Sequence, residues 1–102
     1  MVSYRPPSAS MTSRRFVISG RVQGVGFRYF VQAVAVRESI RGWVRNLDDG
    51  RVETAAAGEA GAMERFERAI RQGPPAARVD RVDVDETFPM SATDTMLGFH
   101  IR

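Results

Sequence analysis

The hydrophobic pattern near the start of the chain changes from a strand period to a helical period within a few residues. Between Arg15 and Val22, alternate positions are apolar or glycine, as in a strand with one buried face. A second set of apolar residues then repeats at the three- and four-residue spacing of a helix: Phe27, Phe30, Val31, Val34 and Ala35. The pattern predicts a strand, a short loop and an amphipathic helix over Gly26 to Glu38.

The middle of the chain predicts a hairpin followed by a second helix. Two extended segments, residues 40–47 and 50–57, meet at Asp48-Asp49-Gly50, and an Asp-Gly pair in that place is a strong hairpin signal. Residues 59–72 have apolar side chains along one side and charged side chains elsewhere. Gly73, followed by two prolines, is predicted to end this second helix.

Two further strands are predicted after the second helix. In residues 78–86, Val82 and Val84 keep one alternation and Val79 breaks it, so a bulge or a late strand start is expected. Alternation returns at Leu97, Phe99 and Ile101, which predicts a short closing strand. The element order is therefore β-α-β-β-α-β with a short final strand.

This order predicts an α+β fold, the ferredoxin-like α/β sandwich, in which two helices cover one face of an antiparallel sheet. Residues 1–13 are polar, so a disordered leader is expected there, followed by one domain over residues 14–102. Met11 is an alternative start. The fold has many functions, RNA binding and metal transport among them, so the fold alone does not identify the activity.

Composition narrows the function classes. The chain has no cysteine and a single histidine, which argues against disulfides, thiol chemistry and a zinc site. We find no apolar run long enough to span a membrane and no signal-peptide core, so a cytoplasmic protein is expected. The formal charge is +3, with arginines mixed among twelve acidic residues. Attraction to an anionic substrate is favoured over binding of nucleic acid.

The loop before the first helix is the main candidate for chemistry. Gly24 and Gly26 permit a tight turn, and the helix that follows presents free N–H groups and a positive dipole end, which suit a phosphate. Arg28 adds a guanidinium that can donate two parallel hydrogen bonds. A tight turn with a solvated arginine is the simpler alternative, because a lone Gly-x-Gly is a weak signal.

Asn46 is the second candidate. It shares the strand face of Val44, which should face the helices, and it stands near the end of its strand. A polar side chain in that place needs a partner or a role. Asn46 and Arg28 are expected to converge, with one binding an anion and the other orienting a water. Local bonding beside a turn is the alternative for Asn46.

Two segments together closely resemble the acylphosphatase family. The first is Gly20-Arg21-Val22-Gln23-Gly24-Val25-Gly26-Phe27-Arg28, and the second is Gly42-Trp43-Val44-Arg45-Asn46. The similarity continues through residues 49–53, Gly58 and residues 73–79, and it covers residues 14–102. The resemblance favours functional roles for Arg28 and Asn46 over a solvated arginine and local hydrogen bonding beside a turn.

The resemblance implies hydrolysis of the carboxyl-phosphate bond of acyl phosphates by a monomer that needs no metal or other cofactor. It assigns the phosphoryl group to the guanidinium of Arg28 and to the main-chain amides of Gln23, Gly24, Val25, Gly26 and Phe27. It assigns orientation of the attacking water to Asn46. The expected partner is a small acyl phosphate, with no nucleic acid and no membrane.

One departure from the family pattern and two alternatives remain open. Glu38-Ser39 replaces the usual apolar residue and glycine at the end of the first helix, which is expected to cost stability. The first alternative is a non-enzymatic RNA-binding module, disfavoured because residues 50–57 contain no aromatic residue. The second is a regulatory or carbamoyl phosphate domain, as in hydrogenase maturation proteins, and the length of the chain is expected to disfavour it.

Overall fold

The elements occur in the predicted order. The structure is a computed structural model that describes residues 11–89, 91 and 98–102. Its strands are β1 (Met11–Arg21), β2 (Arg41–Asn46), β3 (Val52–Glu59), β4 (Arg78–Asp85) and β5 (Phe99–Ile101). Its helices are α1 (Phe27–Arg37) and α2 (Ala60–Gln72).

The strands form one sheet in the order β4-β1-β3-β2-β5. The pairs β1–β3, β1–β4 and β2–β3 are antiparallel, as predicted. β5 instead lies parallel to β2, with Ile101 beside Val44, so the sheet is not antiparallel throughout. The predicted ferredoxin-like α+β fold is confirmed, and the short last strand extends the sheet beside β2.

Both helices pack on the same sheet face and share its core. Phe16 of β1 and Phe66 of α2 are fully buried, with ring centroids 5.9 Å apart, and the ring of Phe99 lies 6.1 Å from that of Phe66. Each buried side chain of this size contributes roughly 1.5–3 kcal/mol relative to an exposed one. This core holds β2 and the start of α1 in place, and the candidate residues lie on those two elements.

The start of β1 differs from the prediction, and the pairing of β4 with β1 shows how its alternation is broken. β1 begins at Met11, where residues 11–13 pair with residues 57–59 of β3, so these three residues belong to the sheet and not to a leader. Residues 1–10 of the predicted leader, and Leu97, lie outside the described residues. Of the two expected alternatives for β4, a bulge and a late start, the structure has the bulge, because Gly20 pairs with Val79 and its neighbour Ser19 pairs with Arg81.

The sheet face opposite the helices carries a buried carboxylate. Glu53 is 4% exposed and accepts hydrogen bonds from Nε of Arg15 and, at 2.6 Å, from Nε of Arg45. Burial alone would raise the pKa of Glu53, but the hydrogen bonds from Arg45 and Arg15 hold it below its usual value. A charged Glu53 therefore links β1, β2 and β3 across the face that no helix covers.

The end of α1 places a serine in a glycine conformation. Ser39 has φ 57°, and among the described non-glycine residues it alone has a positive φ. The amides of Ser39 and Ile40 close the helix by donating to the carbonyls of Val36 and Ala35, which is a Schellman ending. The serine that replaces the usual glycine at the end of the first helix is thus held in a strained left-handed conformation.

We expect Ser39→Gly to raise the free energy of unfolding by about 0.5–1 kcal/mol. The left-handed conformation costs a non-glycine residue roughly 1–2 kcal/mol, and the extra freedom of glycine in the unfolded chain offsets part of the gain. Thermal unfolding should show a rise of a few degrees in Tm. Ser39→Ala is the control, because alanine keeps the backbone cost. A gain of equal size in both variants would contradict the explanation.

Candidate active site

The loop between β1 and α1 has the backbone of an anion-binding turn. Gly24 and Gly26 both have left-handed φ values, 74° and 76°, which favour glycine. The backbone amides of residues 23–27 donate no hydrogen bond to a main-chain carbonyl of the described residues. The carbonyl of Gly26 begins the hydrogen bonding of α1 by accepting from the amide of Phe30 at 3.0 Å. Successive free amides in alternating turn conformations form a concavity that suits an anion.

Arg28 stands in the first turn of α1, at the positive end of the helix dipole. The first turn contains no acidic residue that would neutralise the positive charge there. Its Nη1 donates to the main-chain oxygen of Arg102 at 3.2 Å. The guanidinium of Arg102 lies 4.6 Å from the ring centroid of Trp43. Within the described part of the chain no aspartate or glutamate pairs with Arg28, so its remaining guanidinium N–H groups are available to a ligand.

Asn46, the last residue of β2, lies on the same side of the sheet as predicted but beyond the cover of the helices. Its side chain is exposed although it shares the face of the buried Val44, and it is the last residue of the strand. We find no hydrogen bond from its side-chain amide to another described residue. The amide group is therefore free to bind a ligand or a water.

Arg28 and Asn46 line one small cleft of about 100 Å³, as the sequence predicts. Val22, Gly24, Gly26 and Phe27 also line it, and Tyr29, which is 70% exposed, forms part of its solvent-exposed rim. Two of the predicted phosphate-binding residues do not line the cleft. Val25 packs against the core, and Gln23 turns its side chain toward the β2–β3 hairpin.

Gln23 has a structural role that sequence reasoning missed. Its Nε2 donates to the carbonyls of Leu47, at 2.7 Å, and of Arg51, at 3.0 Å. These two residues close the hairpin, because the amide of Leu47 donates to the carbonyl of Arg51 at 2.8 Å. Gln23 therefore ties the glycine loop to the residue that follows Asn46. A long polar side chain inside a glycine loop was the available signal.

No aspartate, glutamate or histidine of the described residues lines the cleft. The nearby hairpin carboxylate of Asp49 is engaged by Arg51, whose side-chain hydrogen bond lowers the pKa of Asp49. In residues 11–89, 91 and 98–102, no three metal-binding side chains converge, and neither helix has the length and apolarity needed to cross a membrane. The cleft thus offers amides, one guanidinium and one carboxamide, which can bind a phosphoryl group and orient a water.

Comparison with known proteins supports the same chemistry. A family model described as acylphosphatase matches residues 14–101. An acylphosphatase from Bacillus subtilis (strain 168) is 47% identical over 77 residues, which span 76% of this chain and 85% of the relative.

Solved structures match the whole architecture. The crystal structure of acylphosphatase from Bacillus subtilis gives a TM-score of 0.81 at 40% identity and covers 90% of this chain and 98% of that chain. Full-length HypF, in a phosphate- and nucleotide-bound form, gives a TM-score of 0.75 at 33% identity. That match covers 90% of this chain but 12% of HypF, so a unit of this shape also occurs within a much longer protein.

Proposed function

This chain belongs to the acylphosphatase family and hydrolyses the carboxyl-phosphate bond of acyl phosphates, and from that premise we propose that the cleft between the glycine loop and Asn46 is its active site. The observation that carries the assignment is that Arg28 and Asn46, eighteen residues apart, line the same cleft beside unpaired loop amides. Those groups match what phosphoryl transfer requires, namely positioning and stabilisation of charge.

Binding of the phosphoryl group is assigned to the loop and to Arg28. The amides of residues 23–27 and the Arg28 guanidinium donate to the non-bridging phosphoryl oxygens, where negative charge is concentrated during transfer. The hydrogen bond to Arg102 restrains the Arg28 side chain. Less conformational entropy is then lost when the guanidinium engages the substrate.

Asn46 is assigned to the attacking water. The water oxygen forms a bond to phosphorus while the bond from phosphorus to the acyl oxygen breaks, and the carboxylate leaves with that electron pair. The proton of the water passes to a phosphoryl oxygen of the substrate, since the cleft-lining residues that the structure describes include no carboxylate and no imidazole to accept it. The products are a carboxylate and inorganic phosphate, and the carboxylate needs no acid because it is a good leaving group.

Two readouts test these roles together. Turnover of benzoyl phosphate reports on the whole reaction, and competitive inhibition by inorganic phosphate reports on binding of the phosphoryl group alone. Variants at Arg28 are expected to lose both, whereas variants at Asn46 are expected to lose turnover and keep phosphate affinity. Equal phosphate affinity in wild type and Arg28→Ala would contradict the assignment of Arg28.

The non-enzymatic RNA-binding alternative is not favoured. The β3 positions on the face opposite the helices are Glu53, Ala55 and Ala57, which provide no ring for base stacking. The ring of Trp43 on that face lies beneath the guanidinium groups of Arg45 and Arg102. A monomeric state, a cytoplasmic location and the absence of nucleic-acid binding stay predictions.

We expect Gln23→Leu to lower kcat between about 10- and 100-fold, because small misplacements of a catalytic group are costly. The variant loses two hydrogen bonds that hold the hairpin next to Asn46, and a stability loss of about 1–2 kcal/mol should accompany this. Steady-state kinetics with benzoyl phosphate below the unfolding temperature of the variant measures the effect.

A double-mutant cycle separates positioning from simple destabilisation. If Gln23 acts through Asn46, Gln23→Leu should cost little further turnover in an Asn46→Ala background. Additive losses in the double variant would show instead that Gln23 and Asn46 act independently, which would contradict the positioning role.

A further inference from the structure

The exposed aromatic residue Tyr29 stands beside Arg28 at the rim of the cleft. It is 70% exposed and follows Arg28 directly in the first turn of α1. Single exposed apolar residues are common on proteins and need no explanation by themselves. Tyr29 differs from such residues because its side chain also lines the cleft that contains Arg28 and Asn46.

The cleft is small compared with pockets that enclose whole ligands. Its volume of about 100 Å³ lies well below the roughly 300–1,000 Å³ of pockets that surround drug-sized ligands. A phosphoryl group at the loop amides therefore leaves little room in the cleft for a bulky acyl group such as benzoyl, which extends over the rim. What the acyl group contacts is decided by the rim residues and not by the phosphate loop.

The other cleft residues offer little to an apolar acyl group. Val22 and Phe27 are buried, and Gly24 and Gly26 have no side chains. Arg28 and Asn46 present polar groups, which the proposed function assigns to the phosphoryl group and the water. Within the described part of the chain, Tyr29 is the cleft residue that presents an exposed apolar surface.

We propose that the ring of Tyr29 binds the acyl group of the substrate, so that this enzyme favours acyl phosphates with an aryl or other apolar acyl group over those with a small one. The inference rests on the proposed function of the cleft. An aromatic ring offers flat apolar contact that costs little conformational entropy, and it stacks well on a second ring. Because the ring contacts the acyl group and not the reacting phosphorus, its contribution is equal in the ground and transition states, which affects KM.

The test compares two substrates across three proteins. In Tyr29→Ala, KM for benzoyl phosphate should rise roughly 3- to 10-fold with kcat unchanged, the range expected for loss of one aromatic contact. KM for acetyl phosphate should change less than twofold. Tyr29→Phe should behave as wild type with both substrates, because the ring remains. The change caused by the substitution is compared between substrates, which cancels their different intrinsic reactivities.

Val36→Ala is the matched control. Val36 is 67% exposed on the same helix, seven residues from Tyr29 and therefore about 10 Å further along the axis, and it does not line the cleft. Its kinetics should equal those of wild type. Inhibition by inorganic phosphate should also be unchanged in Tyr29→Ala, because phosphate has no acyl group.

Three results would overturn the proposal. Equal effects of Tyr29→Ala on both substrates would show that Tyr29 supports the site without contacting the acyl group. A loss in Tyr29→Phe equal to that in Tyr29→Ala would assign the effect to the hydroxyl group. Unchanged kinetics in Tyr29→Ala would remove any role. Failure of the proposed function is a distinct outcome, because then Arg28→Ala would hydrolyse both substrates as wild type does.

Discussion

Arg28→Ala is expected to lower kcat/KM for benzoyl phosphate by about 10³-fold or more, the range in which arginines contribute to phosphoryl transfer. The side chain pairs with no aspartate or glutamate of the described residues, and no other guanidinium of those residues lines the cleft. The loop amides would remain, so residual activity above the uncatalysed rate is also expected. The inhibition constant of inorganic phosphate should rise in the same variant.

Two further variants separate the geometry of Arg28 from its charge. Arg28→Lys keeps the charge but loses the planar, two-pronged donor and should recover only part of the loss. Arg68→Ala removes the same charge from an exposed position on α2 outside the cleft and should leave kinetics unchanged. Wild-type turnover in a folded Arg28→Ala protein would contradict the assignment, as would an equal loss in Arg68→Ala.

The helices could be predicted closely because their signals are local. Their observed bounds lie within one residue of the predicted ones, since apolar spacing and a terminal glycine are properties of the segment itself. The extension of β1 to Met11 depends instead on main-chain hydrogen bonds to β3, more than forty residues away. The same holds for the parallel pairing of β5 with β2, which no side-chain pattern encodes.

The candidate site also has features that local sequence predicts and features that depend on distant contacts. Convergence of Arg28 and Asn46 follows from a helix start and a strand alternation, both of which are readable in the sequence, and the structure brings them to one cleft. The bonds of Gln23 were missed because their acceptors are main-chain carbonyls of a distant hairpin. The place of Tyr29 at the rim was missed because it depends on the direction in which α1 leaves the loop. The chemical roles of all four residues stay predictions.

Asn46→Ala is expected to lower kcat by roughly 10²-fold or more while the protein remains folded, the scale for removing one positioned polar group. The side chain is exposed and makes no hydrogen bond within the described chain, so its removal breaks no core contact. Steady-state kinetics of benzoyl phosphate hydrolysis measure the loss, and thermal unfolding checks that the fold is kept.

Comparison of phosphate affinity with turnover in Asn46→Ala decides the role of Asn46. If Asn46 orients the water, inhibition by inorganic phosphate stays within about twofold of wild type, because phosphate already contains the oxygen that the water would supply. If phosphate affinity falls and turnover holds, Asn46 binds the phosphoryl group and the water is placed by other groups. Asp48→Ala is the matched control, since Asp48 is an exposed residue of the same hairpin outside the cleft. A loss of turnover in Asp48→Ala equal to that in Asn46→Ala would attribute the effect to the hairpin as a whole and not to the carboxamide.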